Sequence, residues 1–148
     1  MSAVDADDLQ RSLRRAAHLF DPVTAGLLEA AVVAHAVRLP GAELAEMVFD
    51  SGTAPASVRG GAGVRLITFG AATLSVDVEV TARGSAVLLV GQLTPGRSAE
   101  ITVRGRRPAA AVADGLGRFG FAHLARGPFS LLVRTPGAGP LTTDWIAL

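Results

Sequence analysis

Leu74-Ser75-Val76-Asp77-Val78-Glu79-Val80-Thr81 alternates apolar and polar side chains without a break. Successive side chains of a strand point to opposite faces. The stretch therefore predicts a strand that buries Leu74, Val76, Val78 and Val80 and turns Ser75, Asp77, Glu79 and Thr81 to water. A sheet with one wet face is normally antiparallel. Ala82-Arg83-Gly84-Ser85 then has the chemistry of a turn into a second strand over 86–93. Shorter strands are expected over 100–104, 109–113, 118–121, 129–134 and 142–147, with Trp145 in the last. Stretches such as Thr94-Pro95-Gly96-Arg97-Ser98 and Pro136-Gly137-Ala138-Gly139-Pro140 separate most of them. With the run that starts at Val64, this spacing predicts a sandwich or barrel of seven or eight strands.

Upstream the period changes. Leu9, Leu13, Ala16, Ala17 and Phe20 recur at three- and four-residue spacing, the signature of one helical face. Asp5, Asp7 and Asp8 precede Arg11, Arg14 and Arg15, an order that suits the helix macrodipole. Asp21-Pro22 closes that helix and opens a second, which is expected to run to about Arg38. A third is expected after Pro40-Gly41, with Leu44, Met47 and Val48 on one side and Glu43, Glu46 and Asp50 elsewhere. Ser51 to Gly63 is rich in Gly and Ser and lacks periodicity, as a linker does. The expected fold class is thus α+β: a helical segment over 1–51, a Gly-rich linker over 52–63, and an antiparallel β-sandwich over 64–148.

Charge divides the chain at the same place. Residues 1–50 hold eight acids and four arginines, a net −4, and residues 51–148 hold five acids and ten arginines, a net +5. All 14 basic residues are arginine, which with the abundant Ala, Gly and Val reflects a GC-rich coding bias. Of the 148 residues 49% are hydrophobic and 18% charged, and mean hydropathy is +0.40. That suffices for a core and leaves apolar surface for a partner. No run approaches the roughly 18 apolar residues of a membrane helix. An acidic start without an apolar segment behind it, and the absence of cysteine, lead to the expectation of a cytoplasmic protein without disulfides or thiol chemistry.

Candidate chemistry is thin. Gly115-Leu116-Gly117-Arg118-Phe119-Gly120 spells G-x-G-x-x-G, but Phe119 and Phe121 continue as strand where a dinucleotide site needs a helix. A turn is the expectation. His18, His35 and His123 stand far apart, without a second ligand type at metal spacing. The carboxylate pairs Asp77/Glu79 and Glu43/Glu46 fit solvated faces, and no serine is framed as a nucleophile. Hence no catalytic, cofactor-binding or metal-binding residue is assigned, and the protein is expected not to be an enzyme. Arg97, Arg104, Arg106 and Arg107 cluster around one predicted hairpin and suit an acidic protein surface. The small net charge and the lack of interleaved aromatics argue against nucleic acid.

Two resemblances extend this. Val90-Gly91-Gln92-Leu93, then Ala99-Glu100-Ile101-Thr102-Val103, then Asp114-Gly115-Leu116-Gly117-Arg118-Phe119-Gly120-Phe121 and Leu124 through Leu131 resemble the carboxypeptidase regulatory-like family of transthyretin-like β-sandwiches. The likeness covers about residues 86–135 and implies a non-catalytic module. The whole chain looks like small actinobacterial proteins encoded beside extracytoplasmic-function-type sigma factors and caspase-like peptidases. Leu19-Phe20-Asp21-Pro22-Val23, Ala42 through Ser51, and Thr143-Asp144-Trp145-Ile146-Ala147-Leu148 carry that likeness. It implies an anti-sigma-like adaptor, or a partner or substrate of a caspase-like peptidase, in a stress or defence pathway. The expected partner-binding residues are Leu9, Leu13 and Phe20 on the first helix, with Arg104, Arg106 and Arg107. The alternative is a structural homo-oligomer assembled through sheet edges or helices.

Overall fold

The computed structural model describes residues 39–52 and 63–148, and every regular element among them is a strand. The alternating stretch forms β3 (Ser75–Arg83), with Val76, Val78 and Val80 buried and Asp77 and Glu79 in water. It pairs antiparallel with β2 (Val64–Gly70) and with β4 (Ala86–Thr94). Gly84 and Ser85 turn β3 into β4, and Gly84 takes φ 60°. Positive φ at the first of two loop residues matches the right-handed twist of the flanking strands, and glycine adopts it without cost.

β1 (Glu43–Asp50) corrects the expectation of a third helix. Its composition favours helix, and Leu44, Met47 and Val48 do recur at helical spacing. Yet those three are 49%, 42% and 66% exposed, while Ala45 and Asp50 are buried. Tertiary pairing overrides propensity here. Glu43–Ala45 runs parallel to β9 (Leu141–Thr143), and Glu46–Asp50 runs antiparallel to β2, with a register shift between Met47 and Phe49. β1 thereby joins the two halves of the sheet. The fold class over the described residues is accordingly all-β rather than α+β. The other two expected helices, with Leu9, Leu13 and Phe20, lie outside the described residues.

The remaining strands are β5 (Ala99–Gly105), β6 (Ala109–Ala113), β7 (Arg118–Ala125), β8 (Pro128–Arg134) and β10 (Ile146–Ala147). Their order is β6-β5-β8-β9-β1-β2-β3-β4-β7, and β10 pairs with β8 beside β9. The sheet is nearly closed and barrel-like, open only where β6 and β7 fail to pair. Ten strands replace the expected seven or eight for two reasons. β1 lies ahead of residue 64, the expected start, and the last expected strand is split at Asp144-Trp145 into β9 and β10, which leaves Trp145 between strands. All ten belong to one compact unit, Leu39–Leu148.

Inside, Ile67, Phe69, Val76, Leu89, Leu93, Ile101, Leu131 and Val133 are fully buried. The G-x-G-x-x-G stretch is a corner between β6 and β7. Asp114 Oδ1 accepts the N–H of Leu116 (3.0 Å) and of Arg118 (2.9 Å), and Gly117 takes φ 81°. The motif thus caps its own turn, and β7 follows it where a dinucleotide site would need a helix.

Candidate functional site

The turns at one end of the barrel bring together residues that are far apart in sequence. Ser85 and Ala86 come from the β3–β4 turn and the start of β4, and Arg106 and Arg107 from the β5–β6 loop. His123, Leu124, Ala125 and Arg126 come from the end of β7 and the turn beyond it. They line a cup of about 670 Å³, and none of them is acidic.

Local structure explains why each basic group is there. Val87 of β4 opposes Leu124 of β7, and Leu89 opposes Phe121, so Leu88 alone faces both Ala122 and His123. This is a β-bulge, and it turns two successive side chains outward. His123 is exposed, while Phe121 and Leu124 on either side of the bulge are buried. Gly127, at φ 131°, lets the chain reverse into β8. The Arg106 stem lies across it, its Cδ 3.7 Å from where a Gly127 Cβ would be. Arg126 Nη2 donates to the Gly84 carbonyl at 3.0 Å, which fixes its guanidinium against the β3–β4 turn. Arg107 is exposed. Arginine forks match oxyanions two bonds at a time, so these groups can bind carboxylate, sulfate or phosphate oxygens.

The other expected site residues lie elsewhere. Arg97 precedes β5, at the end of that strand opposite Arg106 and Arg107, so the predicted cluster is divided. Arg104 is half-buried on β5. Its Nε and Nη2 donate to Ser130 Oγ on β8 (3.1 and 2.6 Å), and Nη2 also donates to Thr142 Oγ1 on β9. Its guanidinium carbon lies 5.5 Å from the centre of the Trp145 ring, a cation–π contact. Burial pushes its pKa down from the usual arginine value. Arg104 thus ties three strands together. Leu9, Leu13 and Phe20, like His18 and His35, fall outside the described residues.

None of the carboxylates of the predicted pairs lines the cup. Asp77 accepts from Thr68 Oγ1 (2.6 Å). Glu43 accepts from Thr73 Oγ1 (2.6 Å), a bond that holds its pKa below the ordinary value. Among the described residues no three His, Asp or Glu side chains gather as a metal site. None of their helices could cross a membrane, since there are none. A second concavity, of about 430 Å³, lies on the outer face of β2, β3 and β4. Phe49, Leu66 and Val90 give it an apolar floor, and Asp77, Glu79 and Arg118 give it charge.

Sequence alone made Arg106 and Arg107 visible because they are adjacent. Arg126 and His123 were missed, since a bulge and a turn bring them to the cup. A glycine-proline pair after Arg126 was the one signal that the chain reverses there. Compared with protein-family models, curated proteins and solved structures, the chain matches none.

Proposed function

We propose that this protein is a non-enzymatic interaction module that holds an acidic segment of a partner protein in the basic cup. The observation that carries the reading is the convergence of Arg106, Arg107, Arg126 and His123 on one concavity to which the described residues contribute no carboxylate. Field lines concentrate in such a concavity and steer an anionic partner to it. Three carboxylates help hold the fold: Asp50 with Arg65, Asp114 in its own turn, and Asp144 with the Met47 N–H. The partner classes implied by the resemblance, a sigma factor and a caspase-like peptidase, are the first to offer it.

A labelled octamer of glutamate, followed by fluorescence anisotropy, tests this. Binding at about 50 mM salt should weaken markedly at about 300 mM, where the Debye length is shorter. The Arg107→Glu/Arg126→Glu variant should bind roughly tenfold or more weakly, a loss of about 1.4 kcal/mol or more. Equal binding by the variant and the parent protein would refute the reading.

A second reading, self-association, is favoured by the open seam. β6 and β7 are the ends of the strand order, and Val112 and Leu116 beside them are 71% and 60% exposed. An unpaired edge with an apolar side chain is a template for a second copy. Light scattering across a concentration series should then show mass rising toward two chains, and Val112→Asp should keep the protein at one. A constant single-chain mass excludes this reading.

A further inference from the structure

We propose that the cup is a phosphomonoester site, whose occupant is a phosphorylated serine or threonine on an extended segment of the partner. The proposal rests on the anion-binding reading above and names the anion.

Charge and donor count come first. Arg107 and Arg126 bring two fixed positive charges, beside Arg106 and a further basic group, His123. One carboxylate carries a single charge and two oxygens, fewer than the guanidinium forks of Arg107 and Arg126 can engage together. A phosphomonoester carries about −1.5 to −2 at neutral pH and three acceptor oxygens. Guanidinium groups meet those oxygens two at a time, and arginine clusters recognise phosphorylated motifs in this way. Arg126 is pre-positioned, since its bond to the Gly84 carbonyl engages one of its five N–H groups. The ligand therefore need not order that side chain on arrival.

The lining separates the possible phosphate carriers. Among the described residues it contains no Phe, Tyr or Trp, so they offer a nucleobase no aromatic platform to stack on. The cup, at about 670 Å³, is far larger than a phosphate and leaves room for the residue that bears it. Its lining residues flank β7 on both sides, Ser85 and Ala86 from the β4 side and Arg106 and Arg107 from across the seam. β7 ends the strand order, so its outer edge is unpaired by any described strand. An extended segment can lie along such an edge through backbone hydrogen bonds while its phosphate enters the cup. A free phosphate gains nothing from that edge.

The experiment uses the full chain, isotopically labelled, and four probes followed by NMR shifts of backbone amides and arginine Nε groups. Three are one capped heptapeptide with phosphoserine, glutamate or serine at its centre, and the fourth is inorganic phosphate. The phosphopeptide should shift the signals of Arg107, Arg126, His123 and the outer edge of β7. It should bind roughly tenfold or more tightly than either the glutamate peptide or inorganic phosphate. Arg107→Ala should lose that gain with an unchanged melting temperature, because Arg107 is exposed. Arg126→Ala, checked the same way, should lose it as well. Equal binding of the glutamate and phosphoserine peptides would overturn the phosphomonoester and leave the acidic-segment reading standing. Inorganic phosphate binding as tightly as the phosphopeptide would overturn the protein-borne source. If no probe shifts the cup, both readings fall together.

Discussion

Gly91→Ala should lower the melting temperature by roughly 12–20 °C, an expected loss of about 3 kcal/mol for a unit of this size. Alanine ordinarily helps in a strand. By restricting the unfolded chain it gains about 0.4–1 kcal/mol where its Cβ has room. At Gly91 it has none. A Cβ there would sit 2.3 Å from Phe119 Cζ, and 2.7 and 2.8 Å from two more ring carbons. The two residues are cross-strand partners on β4 and β7, and the ring fills the space that glycine leaves. Phe119 cannot simply step aside. It is buried and meets Phe121 edge-on, with ring centres 6.3 Å apart at 72°. Displacing it forfeits about 1.5–3 kcal/mol of burial and about 0.5–1.5 kcal/mol of ring pairing. That loss outweighs the entropic gain.

Gly120, also on β7, is the internal control. A Cβ there meets only the Leu89 carbonyl oxygen, at 3.5 Å. Gly120→Ala should therefore melt at or slightly above the parent temperature. Combining Gly91→Ala with Phe119→Leu should recover part of the loss, since a smaller side chain makes room for the methyl group. Positive coupling of that sign belongs to residues in contact. If Gly91→Ala melts like the parent protein, the ring does not lie across Gly91.

These two glycines also mark how far sequence could be read. The alternation over 74–81 fixed which side chains of β3 are buried, because a period of two has one structural meaning. Asp114 and Gly117 announced a turn through their own chemistry. β1 was misread because a strand that bridges two halves of a sheet has no periodic signature of its own. Its first three residues answer to β9 and the rest to β2, and Leu44, Met47 and Val48 coincide with a helical face by composition. The cup was half legible for a related reason. Arg106 and Arg107 are neighbours in sequence, but His123 reaches them through a bulge, which depends on pairing with β4. Arg104 was grouped with them by sequence proximity. One strand pitch placed it instead over Ser130 and beside Trp145.

Asp50→Asn should cost about 2–3 kcal/mol at neutral pH, and the cost should vanish in acid. Asp50 Oδ1 accepts from Arg65 Nε (2.9 Å) and from the Gly52 N–H (2.8 Å), and Oδ2 accepts from Arg65 Nη2 (2.6 Å). The same guanidinium donates through Nη1 to the Ala147 carbonyl at 2.7 Å, so one fork ties β1, β2 and β10. The Asp50 side chain is 4% exposed and that of Arg65 32%. Breaking a buried pair costs about 3–5 kcal/mol, and the partial exposure of Arg65 puts this one lower. Hydrogen bonding from Arg65 is the largest influence on the Asp50 carboxyl and holds its pKa below the ordinary value. The native state therefore favours the ionised form. Its contribution is complete above the unfolded-state pKa, about 3.9, and is lost as pH falls through the lower folded value. Glu43 and Asp114 are depressed too, but they are common to both proteins and cancel in the difference. Denaturant midpoints from pH 7 down to about pH 2 should converge as the parent protein loses what asparagine never had. A gap that stays constant across that range would show that Asp50 contributes through shape rather than charge. Arg65→Lys provides the complementary measurement: it keeps the charge but cannot reproduce the fork, so it should lose most of the same stability.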